Sequence, residues 1–301
     1  MFAPFRIGEL TLPNRVAIAA GSDLEAAART GAGLVLTEFV SVSEDGRITP
    51  QTPVIDRSYQ EALRLAADRI HQSGGRVALQ LGHAGRRGSM RPSSEGVDRP
   101  LLRGGWRLIA PSPIAYTPRA ALPRAMAARD IAHIVKVFAA TAQAAASCAV
   151  DLLELNMAHG YLLASFISPL ANHRTDEYGG SLENRMRFPL QVLDVVRTAW
   201  PRPLMLRISA SDWFPGGIDL DEAVEIGRLL KAHGADLIHP VMGQTVWESR
   251  ADYRRLFGVP ASDRIRNEAG IPTLASGYVS TSDDVNTILA AGRADLCLLD
   301  L

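Results

Sequence analysis

Short runs rich in β-branched and aliphatic residues recur along the whole chain, at 15–20, 34–39, 76–81, 150–155, 203–209, 235–241, 271–276 and 294–299. Between them lie stretches whose apolar positions return at helical spacing, at 59–72, 130–147, 184–200 and 221–233. A strand that is apolar at every position is buried on both faces, as in a parallel sheet covered by helices. Eight such units in alternation predict a (β/α)8 TIM barrel, read as a single domain over 1–301. A doubly wound open sheet is the rival, weakened because no GxGxxG follows the first run.

Three departures from a regular barrel are visible in the pattern. The connection after the first strand is short: Ser22 with Glu25 three residues later forms a capping-box pattern, predicting a small helix over 24–29 closed by Gly31. After the third strand comes a long excursion, 83–129, that carries Arg86, Arg87, Arg91, Arg99, Arg103, Arg107, Arg119 and Arg124. Loops of that length in compact folds are commonly functional. After the eighth strand the chain stops at Leu301, so the eighth helix is expected to be absent and a partner chain or a homo-oligomer to cover that flank.

Composition narrows the partners. Lys+Arg and Asp+Glu are both 32, which leaves no long-range field for nucleic acid or an anionic membrane and favours a small-molecule substrate. The 2 cysteines, Cys148 and Cys297, sit in apolar surroundings without CxxC spacing, as structural thiols of a reducing compartment do. No run is long enough to cross a membrane, and "MFAPFRIGEL" lacks the basic-then-apolar order of a signal peptide, so a cytoplasmic protein is expected.

Barrel enzymes carry their chemistry where strands end at the C-terminal face. Asn156 and His159 follow strand 4, Gln80 and His83 strand 3, Arg207 and Asp212 strand 5, His239 and Gln244 strand 6, and Ser276 and Gly277 strand 7. Any one of these reads more readily as a loop cap than as a catalytic group, but convergence from five strands favours a site. Metal-dependent hydrolysis by His83, His159 and His239 is set aside. No HxH follows strand 1, and the lysines, Lys136 and Lys231, fall on helices, so no metal is expected.

The segments "FAPFRIGELTLPNRV", "ALQLGHAGRRG", "AHGYLLASFISPLANHRTDEYGGSLENRMRF", "LRISASDW" and "GRADL" resemble the old yellow enzyme family of FMN-dependent reductases over nearly the whole chain. The nearest flavour is the reductase portion of aminobenzoyl-CoA or salicylyl-CoA monooxygenase/reductases. The resemblance implies an ene-reductase that transfers hydride to an activated C=C, such as an aromatic or dearomatised thioester, with FMN as cofactor and NAD(P)H as electron donor. It implies that Gln80 meets the flavin's pyrimidine edge, that Arg207 sets a positive charge near N1, and that Ala19, Ala20, Ser276 and Gly277 also contact the cofactor. Asn156 and His159 would hold a substrate oxygen and Tyr161 would protonate the α-carbon, with His83, Arg86 and Arg87 toward the substrate. The oxygen pair here runs Asn156-Met157-Ala158-His159, where the family usually begins with His. The family also has a long, flavin-contacting loop after strand 1 and an Arg for the FMN phosphate where this chain has Leu301 beside Asp300. Weak FMN binding is the expectation from those two differences. The alternative function is a flavin-free member that binds a ligand or moves protons with Tyr161, His159 and Asn156.

Overall fold

Residues 1–20, 24–249 and 251–300 are described by a computed structural model. All eight apolar runs form strands: β1 Val16–Ala19, β2 Leu34–Ser41, β3 Arg76–Gly82, β4 Leu152–Met157, β5 Leu204–Ser211, β6 Leu237–Met242, β7 Leu274–Ala275 and β8 Leu296–Leu298. They make one parallel sheet in the spatial order β6-β5-β4-β3-β2-β1-β8-β7. A further parallel bridge, Ile238 to Thr273, joins its two ends, so the sheet closes into a (β/α)8 TIM barrel.

Alternation along each strand divides the side chains between two cores. One set, including Val35, Val77, Leu79, Leu153, Leu155, Leu206 and Ile238, packs outward against α2 Arg57–Gln72, α3 Ala128–Ala145, α5 Leu182–Ala199 and α6 Leu220–Ala232. The other set, Ala17, Leu34, Leu36, Ala78, Leu152, Met205, Leu237, Leu274 and Leu296, fills the barrel interior. An N-terminal antiparallel hairpin, Phe5–Ile7 with Leu10–Leu12, turns at Gly8 and sends Ile7 and Leu12 into this inner core as a plug. The hairpin is absent from the sequence expectations because each arm is only 3 residues long.

Above the inner apolar layers the same inward-facing phase turns polar. Gln80 lies beside Glu154 in the β3–β4 register, and Asn156, Arg207 and His239 form one row across β4, β5 and β6. The apolar floor therefore fixes the height at which polar groups begin.

The short connection after β1 forms α1 Leu24–Ala28, ended by bonds from Arg29 and Thr30 to Ala26 and Ala27 and by Gly31 at φ +74°. Ser22 lies outside the described residues, as does the side chain of Glu25, so the capping pair is not part of the described structure. The excursion contains a two-stranded parallel ladder, Ile109–Ala110 with Arg124–Ala125. Past β4 comes α4 Leu162–Ile167; between β6 and β7 a helix α7 Val259–Arg264 continues into a π-turn, and α8 Ser282–Ala290 is capped by Thr281.

Candidate active site

The turn that ends β4 sets the site. Asn156 is on the strand, its Oδ1 accepting from the backbone N–H of Ala158 at 2.9 Å. His159 and Gly160 then both take left-handed backbone, φ +56° and +68°. A side chain at 160 would meet the Thr245 carbonyl oxygen at 2.7 Å, so only glycine fits the second position. The N–H of His159 is held by Ser209 Oγ at 2.9 Å, and Tyr161 then opens α4. This double left-handed turn lifts His159 and Tyr161 to the same rim as Asn156.

Two cavities lie at this end of the barrel. The first, about 300 Å³, is lined by Ala19, Gln80, Asn156, His159, Tyr161 and Arg207, together with Phe39 and Glu38 from β2. The second, about 250 Å³, shares His159, Arg207 and Leu298 with the first and adds Ser276, Gly277, Gln244 and Asp300. Its outer wall is aromatic: Tyr253 and Phe257 have ring centroids 5.2 Å apart, Phe257 and Tyr278 are 5.7 Å apart, and Trp213 packs behind Tyr253 at 5.4 Å. The two cavities meet at His159, Arg207 and Leu298 and so form one trough with Arg207 at the junction. The Nε of Arg207 is buried and has no hydrogen-bond partner in the protein. Such a donor is costly unless a ligand meets it.

Beneath the trough runs a buried polar chain. His239 Nδ1 and Glu154 Oε1 are 2.7 Å apart, Gln80 Nε2 donates to Glu154 Oε2 at 2.7 Å, and Asn156 Nδ2 donates to Gln80 Oε1 at 2.9 Å. At the other end His239 Nε2 lies 3.1 Å from Ser276 Oγ. Burial alone would raise the carboxyl of Glu154, but His239, Arg207 and Gln80 hold it below its ordinary value, so it is ionised. Burial pushes His239 down despite Glu154, and it is neutral. His159 is pushed well below 6.5, first by burial and then by the charges of Arg207 and Arg87 and by His239, and it too is a neutral imidazole.

The remaining residues singled out in the sequence stand around this trough. Ala20 is on neither cavity wall, and its N–H donates to Leu36 O at 2.9 Å. His83 is buried behind the mouth, its Nδ1 accepting from Gly85 N at 3.0 Å. Arg86 donates to Thr245 O, and Arg87 donates to His159 O at 2.7 Å while pairing with Asp98 at 2.8 Å. The Arg87 guanidinium lies 4.2 Å from the Tyr116 ring and 5.2 Å from that of Tyr161. These two arginines thus pin the excursion to the loops after β4 and β6. Asp212 braces its loop by accepting from Ser168 Oγ at 2.6 Å and Ile218 N at 2.9 Å. Of the other arginines in the excursion, Arg124 and Arg91 pair with Asp130 and Glu95, whereas Arg99, Arg103, Arg107 and Arg119 are exposed.

Sequence reasoning missed Glu154 and the aromatic wall. Glu154 had a signal: it is a charge inside an apolar strand, in the same inward phase as Leu152 and Asn156. Tyr253, Phe257 and Tyr278 had none, because separate loops bring them together.

A family model described as the NADH:flavin oxidoreductase / NADH oxidase family matches residues 1–299. Similar curated proteins include the NADPH dehydrogenase of Geobacillus thermodenitrificans, 33% identical over 99% of this chain and 89% of its own length. That of Bacillus subtilis is 32% identical with the same coverage, 99% and 89%. Among solved structures, a 2-naphthoyl-CoA reductase in complex with 2-naphthoyl-CoA superposes with a TM-score of 0.87 at 25% identity. The match covers 99% of this chain and 49% of that one, so the chain spans about half of the reductase. Morphinone reductase superposes with a TM-score of 0.80 at 24% identity, over 99% of this chain and 84% of its own, a likeness of fold.

Proposed function

The chain belongs to the NADH:flavin oxidoreductase / NADH oxidase family, the old yellow enzymes, and on that premise we propose that its trough reduces an activated C=C conjugated to a carbonyl, with a preference for aromatic or dearomatised thioesters. It is an FMN-dependent oxidoreductase with NAD(P)H as electron donor. The observation that carries the reading is the ring of Asn156, His159, Tyr161 and Gln80 around one cavity that also holds the unpartnered Nε of Arg207.

The residues present suit FMN. The orphan donor of Arg207 offers fixed positive charge where the two cavities meet, and Gln80 supplies an amide at the edge of the first cavity. Gln80, Arg207, Ala19, Ser276 and Gly277 would hold it, while the carboxylate of Asp300 on the second cavity weakens the grip on its phosphate. Leu301, the other half of that expectation, lies outside the described residues. Bound there, FMN would supply the hydride chemistry that links the nicotinamide donor to the β-carbon of the substrate.

This chain's own residues do the rest. Neutral His159 and the free N–H of Asn156 donate to the substrate oxygen, where negative charge gathers as the β-carbon gains hydride. Their advantage is that they are fixed beforehand by Ser209 and Ala158 and need no reorganisation. Tyr161 holds a proton on its phenol for the α-carbon, its ring kept in place by Phe39 at 4.9 Å and by Arg87. The thioester preference is supported by the aromatic wall and by the exposed arginines Arg99, Arg103, Arg107 and Arg119, suited to the phosphates of a carrier. Arg86 and Arg87 serve substrate binding indirectly in this reading, by shaping the wall. The buried unpaired thiols Cys148 and Cys297 suit action in the cytoplasm. Among the described residues no helix is long and apolar enough to cross a membrane.

The test is direct. Purified protein supplied with FMN should be yellow, bleach anaerobically with NADPH, and regain its colour on adding cyclohex-2-enone or an α,β-unsaturated thioester. Bleaching without recovery on any such acceptor would refute the ene-reductase reading.

A further inference from the structure

Four polar side chains from three strands and Ser276, just past the end of β7, make one continuous chain below the trough: Ser276, His239, Glu154, Gln80 and Asn156. Glu154 and His239 are 0% exposed, so neither water nor ligand can redirect their bonds, while Asn156 at 2% and Gln80 at 5% show the cavity only an edge. Burial of this kind gives a hydrogen-bond chain a direction, because each member must offer what its neighbour lacks.

That direction can be read from both ends. An ionised carboxylate only accepts, so Glu154 requires the NH₂ end of Gln80 at Oε2 and the N–H of His239 at Oε1. Gln80 is then left with its carbonyl oxygen toward Asn156, which must donate through Nδ2. Independently, the backbone N–H of Ala158 requires Oδ1 of Asn156 to face it. The charge at one end and the peptide at the other impose the same orientation. Turning Gln80 over would set its oxygen against a carboxylate and its NH₂ against the NH₂ of Asn156, losing both bonds. On the far side neutral His239 has Nε2 free to accept from Ser276 Oγ.

We propose that Glu154, sealed from the trough, is the positioning residue that sets the polarity of the site, holding Gln80 and through it Asn156 so that Asn156 shows the cavity only an N–H. The substrate end of the first cavity thereby presents donors from Asn156 and from neutral His159, and selects a ligand that carries a hydrogen-bond acceptor there. The charge of Arg207 also steadies the ionised form of Glu154, so the same guanidinium that awaits a ligand supports the group that aims the amides. No relay of protons is involved; Glu154 acts through two amides. The inference rests on the reading of this cavity as the substrate end of the trough.

A near-isosteric pair of probes tests it without turnover. 4-Chlorophenol offers an accepting oxygen and 4-chloroaniline chiefly donors, and isothermal titration of the FMN-loaded enzyme should show the phenol bound roughly tenfold more tightly, the worth of one made against one unmade hydrogen bond. In Glu154→Gln, whose amide can present either end to Gln80, that preference should narrow at least about fivefold, with flavin content and reduction by NADPH kept within about twofold. Gln80→Met, which cuts the chain between Glu154 and Asn156 at similar volume but also removes a flavin contact, should narrow the preference likewise when the titration is normalised to its FMN content, and decides the matter if Glu154→Gln does not fold. An undiminished preference in a folded variant would overturn the proposal. So would, in Glu154→Gln, a parallel loss of probe binding and NADPH reduction, which marks a merely structural role. Failure of enone reduction in the unmodified enzyme would count against the proposed reaction alone, since the probe preference does not depend on turnover.

Discussion

The phenol of Tyr161 separates the two halves of the reaction cycle. Its ring is packed against Phe39 and Arg87, contacts that Tyr161→Phe keeps, so the substitution removes the hydroxyl and little else. Reduction of an enone should slow by about 10²-fold or more, the usual worth of a general acid, while reduction of the flavin by NADPH stays near its original rate. Stopped-flow measurement of both half-reactions checks this; equal slowing would place Tyr161 in support of the cofactor. Asp300 offers a second test at this scale. Its backbone N–H is anchored to Val279 O at 2.8 Å, so Asp300→Asn removes charge without moving the chain. FMN affinity, followed by fluorescence quenching, should rise roughly three- to tenfold, as expected for one partly screened repulsion of about 1 kcal/mol.

At the scale of elements, the turn between β4 and α4 is the part whose geometry is least tolerant. Gly160→Ala must place a methyl group 2.7 Å from the Thr245 carbonyl while keeping φ at +68°, whereas Gly180→Ala has a similar φ of +82° and open space around it. Urea denaturation should therefore show a loss of about 1 kcal/mol for Gly180→Ala, the backbone cost alone, and roughly 2 to 4 kcal/mol for Gly160→Ala, where overpacking is added. Similar losses would mean that the α4 turn moves freely. The contrast also marks what a sequence carries. The eight strands were legible because strands buried on both faces are mostly apolar, and their C-terminal ends, where polar residues enter, located Asn156, Gln80 and Arg207. The N-terminal hairpin, the π-turn at Ile265–Ala269 and the aromatic wall were not, since short or loop-borne elements leave no period to read. Glu154 falls between the two: the phase of β4 points it inward, but only the register with Gln80 and the reach of His239 show what it holds.

For the whole molecule, the polar layer over an apolar barrel makes stability depend on pH. His83 is buried with its Nε2 unpartnered, and burial lowers it from 6.5 to about 4 although Asp45 opposes the shift. His159 and His239 are lowered as well. A histidine held neutral in the fold takes up its proton more readily when unfolded, so between its two values the unfolded chain binds more protons and acid favours unfolding. Above about pH 6.5 these groups are neutral in both states and cost nothing; as the pH falls from there toward 4 the stability they permit is lost. With 6.5 and about 4 as the two values, His83 alone removes about 2 kcal/mol between pH 7.5 and pH 5. His159 and His239 add losses of the same sign over the window that opens at the same unfolded value. Urea midpoints measured across this range should fall steeply below pH 6.5, and His83→Gln, which keeps an acceptor for Gly85 N without titrating, should remove roughly its share of the slope. A stability that stays flat from pH 7.5 to 5 would show that the folded barrel admits protons to these imidazoles, and hence that its polar layer opens to solvent far more readily than its packing implies.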